Sequence, residues 1–362
     1  MLTIVEQPLM GANLPLGLSV VPSRAMVCEV RPAFFDAPFH LRALPLQTKI
    51  AMSSPPVNQP LPKGFVLDQY RIERKISQGG FSIVYLAYDK AGAPVAIKEY
   101  LPNGIAERFG DGPVPVVPEA KRPPFNQGMK GFFEEGRLLA HINHPNVVHV
   151  SGIFRANETA YLVMPYETGQ SLQEHARALV ARGEAIKEDF LREMFVRLLS
   201  GLREVHTQKL LHLDIKPANI YLKHDGQPIL LDFGATRLGL GEATSSLMAV
   251  HTPDFAAPEQ EGSGEAQGPW TDIYAIGATL YYCLAGAPPQ AAAARMKSDQ
   301  LQSAQTRWRN RYSVQLLELI DWCLTLRAQA RPQSVFALQK VLNGDLLDLV
   351  DPNWFQTPAA PK

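Results

Sequence analysis

One stretch constrains this chain more than any other: His212-Leu-Asp-Ile-Lys-Pro-Ala-Asn219, followed shortly by Asp232-Phe-Gly234. It sets two acids, an amide and a lysine on two short loops. Asp214 can accept a proton from an incoming hydroxyl. Asn219 and Asp232 offer hard oxygens of the kind Mg²⁺ prefers. Lys216 can neutralise charge on a phosphoryl group in flight. Phosphoryl transfer asks a protein for positioning and charge stabilisation more than for covalent chemistry. The plainer reading, two polar turns in a core, must explain why the flanking segments also fit, in order.

Those segments start near Tyr70. Tyr70, Ile72 and Ile76 recur on even steps, as in a half-buried strand. Ser77-Gln-Gly79-Gly80-Phe81-Ser82 reads as a turn, and the run from Ile83 to Tyr88 as a second strand. Such a hairpin can lie over phosphates with its backbone N–H groups facing them. Val95-Ala96-Ile97-Lys98 is a third strand. A lysine in an apolar strand needs an anion. Helix periodicity supplies one. Phe132, Leu139 and Ile142 share a face with Glu135, whereas Glu134, Arg137 and His141 lie opposite. Residues 103–128, rich in Pro and Gly, read as a surface insertion, and Pro145 ends the helix.

Taken together, these motifs resemble the eukaryotic-type serine/threonine protein kinases, in the phrasing of their bacterial branch. The resemblance implies an α+β fold of two lobes. A small antiparallel sheet with one main helix would sit above a larger, mostly helical lobe, with ATP between them. It implies Asp214 as base, Lys216 beside it, a Lys98–Glu135 pair on the α- and β-phosphates, and Asn219 and Asp232 on Mg²⁺. Ile76, Gly79, Val84 and Ala96 would line the nucleotide site. Met164, Pro165 and Glu167 match the hinge, where the Pro165 carbonyl and the Glu167 N–H would meet adenine. Tyr221 stands at the floor of that pocket, where an aliphatic residue is usual. Thr252 matches the residue that contacts Asp214 and Lys216 and favours a hydroxyl acceptor. Ala256-Ala257-Pro258-Glu259 closes the activation segment, with Arg331 as the partner of Glu259 and Asp272 anchoring the catalytic loop from below.

The chain also departs from the family in its glycine loop and just before the catalytic aspartate. Of the glycines in G-x-G-x-x-G only Gly79 is in register, because Ser77 and Ser82 replace the outer two. Leu213 replaces the arginine that commonly precedes the catalytic aspartate. An apolar side chain makes no charge-assisted bond to a phosphate, so basal activity should not depend on phosphorylation of the activation segment. Thr244, Ser245 and Ser246 remain candidate autophosphorylation sites. Two rival readings are a pseudokinase scaffold and a small-molecule kinase.

Composition adds limits. Lys+Arg 35 balances Asp+Glu 35, which points to neither nucleic acid nor a charged membrane. The Arg307-Trp-Arg-Asn-Arg311 cluster is too short to change that. Cys28, Cys283 and Cys323 are far apart, which fits a reducing, cytoplasmic setting. No apolar run is long enough for a membrane span. Residues 1–65 read as a proline-rich, disordered extension, with Met52 as an alternative start or the upstream part as a docking tail. The kinase domain is expected over 66–345 and a short tail over 346–362.

Overall fold

The computed structural model describes residues 58–110, 112–233, 237–238, 252–262 and 266–344. Six strands form the small lobe: β1 (Val66–Leu67), β2 (Tyr70–Gln78), β3 (Ser82–Tyr88), β4 (Pro94–Tyr100), β5 (Gly152–Ala156) and β6 (Thr159–Pro165). They pair antiparallel in the order β1-β2-β3-β4-β6-β5, so β4 lies inside the sheet between β3 and β6. Lys98 stands opposite Val84 on β3 and Leu162 on β6. The pleat sends Lys98 and Glu99 to opposite faces. Both are buried, at 8% and 0% exposure.

Helix α1 (Arg122–His141) packs on this sheet. It begins well before Phe132, so part of the expected insertion is helix. Pro123 and Pro124 had suggested a loop. They fall in the first helical turn, where a missing N–H costs nothing and φ is already suitable. The helix approaches the sheet closely at Gly136. A Cβ there would lie 2.3 Å from the end of the Leu162 side chain, so a larger residue would require Leu162 to shift.

Two expectations about the outer parts of this lobe need correction. Residues 103–121 of the expected insertion are not a mere surface excursion: Ala106 and Arg108 are buried. The structured chain also starts upstream of residue 66. Asn58 and Leu61 are 3% exposed, and the Leu61 N–H donates to the Tyr85 hydroxyl at 3.1 Å. Proline density signals an extended chain, but an extended chain can be pinned against a sheet as readily as it can be free.

The large lobe is mostly helical. A three-stranded sheet joins β7 (Gly169–Ser171), β9 (Ile220–Lys223) and β10 (Pro228–Leu230), and β8 (Leu210–Leu211) pairs with β11 (Arg237–Leu238). Helix α2 (Leu172–Ala181) opens with a reciprocal cap: Ser171 accepts from the Glu174 N–H while Glu174 accepts from the Ser171 N–H. Helix α3 (Glu188–Thr207) buries Leu191, Met194, Leu198, Leu202 and Val205 at helical spacing. Helix α4 (Pro269–Ala285) is buried almost all round, ending at Gly286 in the left-handed conformation. Four further helices complete the lobe: α5 (Ala292–Lys297), α6 (Ala304–Trp308), α7 (Val314–Cys323) and α8 (Val335–Asn343). Arg307 of the basic cluster is used internally, its guanidinium 4.7 Å from the Trp308 ring and 3.0 Å from the Tyr281 hydroxyl. No described helix is long and apolar enough to cross a membrane.

Candidate active site

The loop between β8 and β9 carries Asp214, and four donors converge on its carboxylate. Oδ1 accepts from the Thr252 hydroxyl at 2.9 Å and from the Thr252 N–H at 3.1 Å. Oδ2 accepts from Lys216 Nζ at 2.7 Å and from Asn219 Nδ2 at 3.0 Å. Lys216 also donates to Thr252 Oγ1, closing a triangle of side chains. The carboxylate is thereby held in one orientation, half-buried and next to the solvent-facing cleft.

Beneath it the loop is braced by buried groups. Asp272, fully buried near the start of α4, accepts from the backbone N–H of His212 at 2.9 Å and of Leu213 at 2.8 Å. His206 Nε2 lies 2.8 Å from the same carboxylate. Burial alone would raise the Asp272 pKa, but the His206 bond and the backbone donors outweigh it and hold the group below the usual range. His212 is buried, and burial lowers its pKa. Its Nδ1 accepts from the Asp214 N–H, so Nε2 carries the proton toward the Leu231 carbonyl at 2.9 Å.

Two backbone positions here are unusual. Leu213 has φ 64° and Asp232 has φ 55°, both in the left-handed region that bulky residues avoid. Such residues cost about 1–3 kcal/mol each and persist where the surroundings over-determine them. Leu213 is over-determined in this way. Asp272 takes its N–H, Gln260 Nε2 donates to its carbonyl at 2.8 Å, and its side chain is 4% exposed. The Gln260 contact was not foreseen in the sequence. It does the holding at a position where no arginine is present.

Lys98 reaches across from β4. Its Nζ is 3.0 Å from Asp232 Oδ1 and 3.6 Å from Glu135 Oε1. Burial pulls the lysine pKa down, but Asp232 and then Glu135 outweigh it and hold the ammonium charged. Asp232 is correspondingly lowered by Lys98. Glu135, deep on the inner face of α1, is pushed upward by burial despite Lys98. Asp232 is therefore the nearer and stronger partner here, and Glu135 the second. Glu134, one residue earlier, is half exposed beside Arg137, as its place on the helix predicts.

The remaining expected residues distribute over the cleft. Val84 and Ala96 are half-buried on neighbouring strands, with Ala96 opposite Met164 and Val95 opposite Pro165. Tyr221 on β9 donates its hydroxyl to the Glu167 carbonyl at 3.3 Å, which ties β9 to the segment just after β6. Gly79 sits in the turn between β2 and β3, whereas Ile76 is 40% exposed after a register shift in β2. Gly234, His251, Thr244, Ser245 and Ser246 lie outside the described residues.

Both donors of the Asn219 amide are directed at Asp214, so its side-chain oxygen is left for a cation. Among the described residues no three His, Cys, Asp or Glu side chains could cage a metal. That donor set suits Mg²⁺, which takes one or two protein oxygens and completes its shell with phosphates and water.

A family model described as protein kinase domain matches residues 70–343. The chain belongs to the protein kinase family. Its relatives include the serine/threonine-protein kinase PknD of Chlamydia pneumoniae, 31% identical over 60% of this chain and 24% of that one. Serine/threonine-protein kinase C of Synechocystis is 28% identical over 77% of this chain and 50% of its own length. The mouse sperm motility kinase 2B is 31% identical over 55% of this chain, which spans 40% of that relative. The solved structure of PpkA-294 in its apo form is 33% identical, with a TM-score of 0.69, covering 78% of this chain and 99% of that one. Within this kinase fold the buried Glu259–Arg331 pair closes the large lobe, with two contacts at 2.8 and 3.0 Å.

Proposed function

We propose that the chain is an ATP-dependent protein kinase that transfers the γ-phosphoryl group to Ser or Thr hydroxyls of protein substrates. One observation carries the reading: Thr252, Lys216 and Asn219 converge on Asp214 while Lys98 lies between Asp232 and Glu135. Asp214 would take the acceptor proton, and Lys216 would offset charge on the departing phosphoryl group. Lys98 would hold the α- and β-phosphates. Asn219 Oδ1 and the Asp232 carboxylate would hold Mg²⁺, which neutralises phosphate charge when bound. Met164, Pro165, Glu167 and Tyr221 would position the adenine. A cavity of about 430 Å³ opens beside Lys216 and Thr252, between Arg177 of α2 and Pro288, on the side from which an acceptor segment could enter.

A pseudokinase reading is disfavoured because Lys98, Asp214, Asn219 and Asp232 are all present. The Glu259–Arg331 closure argues against a small-molecule kinase. Acceptor class is tested by incubating the protein with labelled ATP and Mg²⁺, offering a generic protein and, separately, an aminoglycoside, then identifying the labelled residue after acid hydrolysis. Label on phosphoserine or phosphothreonine is expected. Label on phosphotyrosine alone, or on the small molecule alone, would refute the reading.

Lys98→Met and Glu135→Ala should each impair transfer without their losses multiplying. The pair is in contact, so a coupling of about 0.5–3 kcal/mol is expected from a double-mutant cycle on kcat/KM. Glu134→Ala should be close to silent. Simple multiplication of the two losses would count against the pair.

The non-arginine catalytic loop sets the regulation. Leu213 is held by Asp272 and Gln260, and no arginine stands at that position. A Thr244→Ala/Ser245→Ala/Ser246→Ala variant should keep its activity on an exogenous substrate. Loss of activity in a correctly folded variant, restored by acidic replacements, would overturn this.

A further inference from the structure

The glycine turn has lost two of its three family glycines, yet it is held from behind. Asn103, just past the end of β4, donates its backbone N–H to the Gly80 carbonyl at 2.7 Å and its side-chain amide to the Gly79 carbonyl at 3.3 Å. The Leu101 N–H donates to the Phe81 carbonyl at 2.8 Å. On the incoming leg, Gln78 Nε2 donates to the Asn58 carbonyl at 2.9 Å. Every residue from Gln78 to Phe81 therefore gives a group to the segments at 58 and 101–103.

Asn58 joins those segments. Its side-chain amide donates to Asn103 Oδ1 at 3.0 Å and to the Ala106 carbonyl at 3.1 Å, and its Oδ1 accepts from the Arg108 N–H at 2.7 Å. It is buried, and it lies upstream of the family match, which begins at residue 70. Arg108 roots the assembly in the sheet. Its Nη1 donates to Glu99 at 2.7 Å, its Nε to the Gln59 carbonyl at 2.8 Å, and Glu99 also accepts from Tyr85 and Tyr161. Glu99 is the residue after Lys98, on the other face of β4.

We propose that Asn58 and Asn103 form a clasp that fixes the glycine turn for nucleotide binding, so that ATP affinity depends in part on Asn58, a residue upstream of the family's own segment. A trans peptide is planar, so a carbonyl turned toward Asn103 turns the next N–H the other way. Holding the carbonyls of Gly79 and Gly80 back thus presents the N–H groups of Gly80 and Phe81 on the opposite side, as an anion-binding turn requires. Ordering the turn beforehand spares ATP that entropy on binding. Both asparagines are positioning residues.

This inference rests on the reading of the turn as the phosphate cover, and the test separates the two. Asn103→Ala removes an exposed side chain. Asn58→Asp keeps size and the acceptor for Arg108 but cannot donate to Asn103. Gln59→Ala, whose side chain takes no part, is the control. Each is measured for thermal unfolding, for hydrogen exchange at residues 78–82, for binding of a fluorescent ATP analogue with Mg²⁺, and for KM(ATP) and kcat. The clasp variants should exchange faster at the turn and show KM(ATP) and analogue Kd raised about 3–10-fold, the worth of one or two hydrogen bonds. kcat should be nearly unchanged, and Gln59→Ala should match wild type. Unchanged exchange would refute the clasp. Faster exchange with unchanged KM would show a clasp on a turn that does not govern ATP. A fall in kcat at constant KM would also overturn the proposal. Failure of wild type to bind the analogue would instead strike the reading of the site.

Discussion

Asp214→Asn should reduce phosphoryl transfer by about 10²–10⁴-fold, the usual worth of a general base, while leaving ATP binding nearly intact. The geometry explains why the loss should be at the upper end. All four donors around Asp214 point at carboxylate oxygens. An amide presents N–H groups to some of them, so Lys216 and Thr252 would lose their hold along with the base, whereas Asn219 keeps its bond to the backbone carbonyl of residue 214. No contact in that cluster involves Lys98, the residue proposed to hold the α- and β-phosphates. Asp232→Ala should behave differently. It removes the partner 3.0 Å from Lys98 together with a proposed Mg²⁺ ligand, so Mg²⁺-dependent ATP affinity should fall as well as the rate. Calorimetric ATP titration beside a transfer assay distinguishes the two variants. Near wild-type turnover in Asp214→Asn would undo the assignment of the whole loop.

The second large effect concerns stability. Arg331 and Glu259 have side chains with 0% exposure. All five guanidinium donors are used: two on Glu259, the rest on the carbonyls of Thr325, Trp270 and Leu326. The Tyr274 ring lies 4.9 Å from the guanidinium carbon. Truncating one partner leaves the other charge buried without compensation, which costs about 3–5 kcal/mol. Arg331→Ala should do worse than Glu259→Ala, since it also strands three carbonyls. For a domain of this size Tm should fall on the order of 10 °C. The double variant should lose less than the sum. A scanning calorimetry shift of only a degree or two would mean that water or another group replaces the pair.

Much of the site was legible because its parts are local. Residues 212–219 and 232 lie on two short loops, and their chemistry can be read without knowing the fold. Lys98 and Glu135 are distant in sequence, yet each is marked by periodicity: a lysine in an apolar strand and an acid on an apolar helix face. Glu99 carries the same signal. Strand alternation puts it on the face opposite Lys98, where burial demands a cation, and Arg108 is that cation. Asn58 offered no such mark. Its partners lie 45 to 50 residues away, and a proline-rich neighbourhood looks identical whether pinned or free. Gln260 was hidden similarly, since its bond to the Leu213 carbonyl bridges 47 residues. The start of α1 was misplaced because proline is read as a breaker, although in a first turn it is an asset.

Whether this protein kinase chain turns over ATP or only binds it is decided by one experiment. The most direct measurement is a time course with purified wild-type protein, Mg²⁺, γ-labelled ATP and a generic Ser/Thr-containing protein. ADP release and acceptor-bound label are followed together, at nucleotide concentrations where binding has been established independently. Acceptor label is expected to rise linearly with time and enzyme, matched by ADP, and to fall by about 10²–10⁴-fold in Asp214→Asn. Saturable ATP binding with no label on the acceptor or on the protein itself would contradict this, and would make the chain a nucleotide-binding scaffold.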